Sequence, residues 1–136
     1  MLRAIQRAIS LSNLDQKSNP NETLAVVLVD SATITALNET FLDHQSATDV
    51  ITFDYRDDTT TDDGVIGEIC VCVDVAFSCP RAKSLGDEVC LYIVHGILHL
   101  CDENDVAVAD RRRMHRRQNR IMKQLRKDFP LADIFK

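Results

Sequence analysis

Short apolar runs alternate with helical periodicity along the first half of the chain. Leu2, Ile5, Ala8 and Ile9 recur at helical spacing and predict an amphipathic helix over 2–12. After the turn-forming "SNPNET" of 18–23, "LAVVLV" (24–29) is continuous, β-branched and short, which predicts a strand covered on both faces. "SATITALNETFLDH" follows, with Ser31 as N-cap and Ile34, Leu37 and Phe41 on one face. Strands are predicted at 49–53 and 65–73, on either side of an acidic loop ending at Gly64. A helix is predicted over 74–84. "DEVCLYIVHGILHLC" is apolar all round and predicts a buried central helix. From 106 to 127 a charged helix presents Met114, Ile121, Met122 and Leu125 for packing. These elements predict an α+β fold. It is a single domain over 1–136, with a small mixed sheet of about four strands packed against helices.

Composition narrows the class. A chain of 136 residues suits one core. The net charge of -5 argues against a generally basic nucleic-acid binder. Five cysteines occur with no C-x-x-C pair, so zinc-ribbon and thioredoxin-like readings fail. The odd count, with several of them in apolar runs, predicts reduced, buried thiols. The N-terminus lacks the apolar core of a signal peptide, and Val89 to Leu98 is too short to span a bilayer. A cytoplasmic protein without a membrane partner is expected.

The chemistry concentrates in "VHGILHLCDEND", Val94 to Asp105. Positions i and i+4 share one helix face, so His95 and His99 are spaced to reach one metal ion. The alternative is two core histidines whose ring nitrogens meet carbonyls or water. Gly96 stands where the zinc-protease pattern H-E-x-x-H places its general base, which counts against that peptidase class.

The same segment, "HGILHLCDEND", resembles the metal motif H-G-x-L-H-L-x-G-Y-D-H of the YbeY family, bacterial endoribonucleases of rRNA maturation. "LNETFLDHQSATDVITF" (Leu37 to Phe53), "GEICV" (Gly67 to Val71), Glu88 and Met114 extend the likeness over roughly 37–122 in order and spacing. The resemblance implies a metal-dependent, single-strand-specific endoribonuclease acting in rRNA maturation and ribosome quality control. It also implies one Zn2+ per chain, with RNA and the ribosome as partners. Five positions depart from the family, three of them where its Gly-Tyr-Asp is replaced by Asp102, Glu103 and Asn104. Its third histidine is Asp105 here, and an Arg linked to catalysis is Leu42.

Asp105 is the third ligand in register, and a carboxylate ligates zinc at about 2.0–2.2 Å. Asp102 and Glu103 are rivals, because the missing Gly removes an easy left-handed turn. Cys101 and His115 are weaker ones, and a site with no third protein ligand is the remaining alternative. A carboxylate ligand makes the bound water harder to deprotonate and manganese or iron more competitive. Glu88, two turns before His95, is a candidate to orient a ligand. Arg56 and Arg111 are candidates to replace the lost Arg.

Nine cations and no acid occur from Arg111 to Lys127. Arg112, Arg116, Arg120, Lys123 and Lys127 follow helical steps and form a stripe which, with Arg111, is the candidate RNA-binding surface. The alternative is a solvated helix face. Two other functions stay open: a non-catalytic RNA- or ribosome-associated protein, and a metal hydrolase of another substrate.

Overall fold

Strand β3 (Val65–Cys72) is the axis of the molecule, and six of its eight residues are buried. In the computed structural model, which describes residues 1–17, 21–42, 48–56, 64–101 and 107–135, β3 pairs in parallel with β1 (Thr23–Val29) and antiparallel with β2 (Val50–Asp54). The order β1-β3-β2 gives three strands among the described residues, against the roughly four predicted. The α+β class agrees with the sequence reading. The helices are α1 (Leu2–Ser12), α2 (Ser31–Leu42), α3 (Val73–Ser78), α4 (Leu85–Leu100) and α5 (Val108–Asp128).

The sheet separates two apolar clusters. Ile69 and Val71 face the larger one, with Val89, Ile93, Ile97 and Leu98 of α4 and Met114, Ile121, Met122 and Leu125 of α5. Ile51 and Cys72 face the smaller one beneath Ile34 of α2. The predicted central helix is α4, starting at Ser84, whose Oγ accepts from the Asp87 N–H at 3.0 Å. Asp87 and Glu88 follow in the first turn, where carboxylates suit the helix dipole. Gly96 lets α4 lie against the sheet. A Cβ there would stand 2.8 Å from Thr52 Oγ1 and 2.9 Å from Ile69 Cγ2.

Four predictions are corrected. β1 is not covered on both faces, since Val27 and Leu28 are exposed, and among the described residues it pairs only with β3, at the edge of the sheet. Asp30 rather than Ser31 caps α2, its Oδ1 accepting from the Thr33 N–H at 2.8 Å. α1 buries Ala4, Ala8 and Ser12, with Ile5 and Ile9 flanking and Leu2 in solvent, because small residues allow close approach to the core. The helix predicted over 74–84 is only α3, ending at Ser78. The acidic loop from 57 to 63 lies outside the described residues. All five cysteines are free thiols, four of them buried as predicted. No helix among the described residues is long and apolar enough to cross a membrane.

Candidate metal centre and cleft

His95 and His99 project from the last turns of α4 into a cleft of about 620 Å³ walled by Phe41, Asp49 and the β2 residues 50–54. The Nε2 atoms of the two rings lie 3.1 Å apart. Their planes are nearly perpendicular, at 82°. Two imidazoles at about 2.0–2.1 Å in a tetrahedral shell would hold their nitrogens roughly 3.3 Å apart, so the pair has close to the bite of a zinc site.

The rest of His95 is fixed from α5. Its Nδ1 lies 2.8 Å from Oε1 of Gln118, a buried residue. An amide oxygen only accepts, so Nδ1 carries the proton and the Nε2 lone pair faces His99. A metal-ligating histidine needs this arrangement. The donor chemistry therefore fits a divalent ion. Sequence reading missed Gln118, although a signal exists. It stands four residues from both Met114 and Met122, a polar position inside the apolar stripe of α5.

Glu88, the predicted orienting residue, is buried in the first turn of α4. Burial pushes its carboxyl above the usual carboxylate range. A hydrogen bond from Cys79 and the charge of Arg126 offset part of the effect, while Asp87 and Asp49 add to it. Cys101 is buried and its thiol faces the Ser12 carbonyl, at 3.6 Å. Asp102, Glu103 and Asp105 lie outside the described residues, as does the side chain of Leu42. Among the described residues, no three His, Cys, Asp or Glu side chains form a metal-holding group.

The basic helix divides into two sets. Arg113 donates to Asp110 at 2.9 Å and Arg117 to the Ser12 carbonyl at 2.9 Å. Arg126 grips the buried Asp87 carboxylate through Nε at 2.7 Å and Nη2 at 2.9 Å. These three arginines hold structure, so the helix is less free of acidic partners than its own sequence implies. Arg111, Arg112, Arg116, Arg120, Lys123 and Lys127 are exposed and make no ion pair with a described residue. Arg111 and His115 line a small cavity of about 110 Å³ together with His95 and Gln118. The same two residues line a groove of about 360 Å³ with Arg112, Arg116 and Asn119. Arg56, the other candidate replacement, is bound to Asp54 through Nε at 2.9 Å and Nη2 at 2.6 Å.

Over residues 1–126 the chain matches the family model described as Endoribonuclease YbeY. A protein of that name from Porphyromonas gingivalis is 34% identical over 105 residues, covering 76% of this chain and 67% of its own. Another, from Protochlamydia amoebophila, is 32% identical over 128 residues, covering 87% and 85%. A third, from Rhodopirellula baltica, is 31% identical over 111 residues, which span 81% of this chain and 57% of that protein.

Proposed function

The chain belongs to the endoribonuclease YbeY family, and on that premise we propose that it cleaves single-stranded RNA at a divalent-metal centre, acting in rRNA maturation and ribosome quality control. The observation that carries this reading is the convergence of the His95 and His99 Nε2 atoms in a cleft flanked by a basic groove. Asp105 completes the ligand set by its register after the histidines, and Zn2+ is the first candidate, with manganese or iron as competitors. The free thiols suit a reducing compartment, which supports the cytoplasm and its ribosomes as the setting.

A divalent ion held by His95, His99 and Asp105 would supply Lewis-acid chemistry for phosphate-ester hydrolysis. Gln118 keeps the His95 ring in the tautomer that presents Nε2. Arg111, which shares a cavity with His95, meets the charge that develops on the phosphate, the role for which Leu42 lacks the chemistry. Arg56 is held by Asp54 and stays out of that role. Arg112, Arg116, Arg120, Lys123 and Lys127 hold the strand by its backbone. Glu88, two turns before His95 on α4, is the candidate to orient a ligand.

The test is cleavage of labelled single-stranded RNA by the metal-loaded protein, by His95→Ala and by Asp105→Ala. Cleavage by the wild type and its loss in both variants is the expected result. Wild type that binds RNA and cuts none with zinc, manganese or iron contradicts the reading and favours a non-catalytic RNA-associated protein. A metal-loaded protein that neither binds nor cuts RNA favours a hydrolase of another substrate.

A further inference from the structure

Phe41, in the last turn of α2, is 61% exposed and lines the same cleft as His95 and His99. Leaving a large apolar ring in water forgoes much of the burial that stabilises a fold, so its position asks for a partner. The ring is not loose. It meets Phe53 edge to face, with centroids 5.3 Å apart and planes at 76°. Phe53 in turn stacks on Tyr55 at 6.3 Å and 12°. A ring held by an aromatic row, with most of its surface open, is a stacking platform.

The charges around the cleft say what would stack there. The wall formed by β2 and the residue before it carries Asp49 and Thr52, whose side-chain oxygens can accept hydrogen bonds from base amino or imino groups, and Asp54, whose carboxylate is bound by Arg56. The cations lie beside His95, where Arg111 and His115 join its small cavity to the α5 groove. The acceptors thus line the cleft, the cations without an ion pair to a described residue line the α5 groove, and His95 borders both the cleft and the small cavity beside that groove. The cleft volume also falls in the range of ligand sites, roughly 300–1,000 Å³.

We infer that Phe41 is a nucleobase platform: an unpaired base next to the scissile phosphate enters the cleft and stacks on it, while the phosphate meets His95, His99 and Arg111. The inference rests on the RNA-cleaving reading above and gives a physical source for selection of single strands. A base inside a helix has both faces covered, and only a splayed one reaches such a platform.

The experiment couples loss of the ring to loss of the base. Single-stranded RNAs carrying one abasic nucleotide at successive positions around the cut are cleaved by wild type, Phe41→Leu and Phe41→Tyr, with zinc stoichiometry measured for each. Leu keeps apolar bulk against Phe53 without a π-face, and Tyr keeps the ring. In wild type and Phe41→Tyr, one abasic position is expected to raise KM on the order of tenfold. In Phe41→Leu, KM for intact RNA is already raised by a similar factor and the abasic site adds nothing, with zinc binding unchanged. If Phe41→Leu keeps the wild-type KM, or if ring and base losses multiply independently, the platform falls and the RNA-cleaving reading stands. Wild type that cleaves no RNA sinks both.

Discussion

Gln118, on α5, accepts a hydrogen bond from Nδ1 of His95, on α4, across a distance of 2.8 Å. That bond ties the orientation of one candidate ligand to the packing of the basic helix. Removing it frees the ring and its tautomer. Gln118→Ala should weaken zinc binding about 10–100-fold, the usual cost of losing such an orienting partner. Gln118→Glu, which still accepts at Nδ1, should bind at least as tightly as wild type. Competition with a chromophoric chelator checks both. Unchanged affinity in Gln118→Ala would remove Gln118 from the site.

Gly96 between the histidines makes a prediction about stability. Its missing Cβ leaves room for Thr52 and Ile69 at contact distance. Gly96→Ala gains helix propensity, worth about 1 kcal/mol. It also drives a methyl group into the sheet, and overpacking of this kind costs about 1–3 kcal/mol. The expected net result is a loss of roughly 0–2 kcal/mol in urea unfolding. Zinc affinity should fall too, because relieving the clash moves α4 off β2. A variant more stable than wild type would show that the close approach is not a constraint.

Glu88 gives the fold a pH dependence of known sign. Burial raises its folded-state pKa above the unfolded value, with Asp87 and Asp49 adding to the rise and Cys79 and Arg126 opposing it. The fold therefore binds the proton more tightly than the unfolded chain does. The resulting stabilisation is complete below the unfolded pKa and is lost as pH rises through the folded one. Glu88→Gln mimics the protonated form. Its urea midpoint should move above that of wild type progressively as pH rises through the ordinary carboxylate range and beyond it. Parallel profiles for the two proteins would contradict the burial account.

The central helix was legible because a long run apolar on all sides has one resting place, and the histidines four apart inside it share a face wherever that helix goes. Interactions between elements were harder to read. "LAVVLV" looks the same in a central strand and at an edge, and pairing with β3 alone among the described residues places it at an edge. Asp30 and Ser31 are both good cap residues, and only the geometry at Thr33 selects Asp30. Gln118 reaches His95 across 23 positions, through a helix–helix packing that neither segment encodes alone. The stripe on α5 reads correctly along one helix, but the arginines that serve structure depend on Ser12 and Asp87 of other elements. The predicted third ligand, Asp105, lies outside the described residues, so its assignment stays with the register of the motif.

The central claim is that His95 and His99 jointly hold a divalent ion, and equilibrium zinc titration of wild type, His95→Ala and His99→Ala tests it most directly. Circular dichroism on the same samples establishes that each is folded. One tightly bound zinc per wild-type chain, lost in each folded variant, is the predicted result. Wild type that binds no zinc, manganese or iron, or variants that bind zinc as wild type does, would contradict the account.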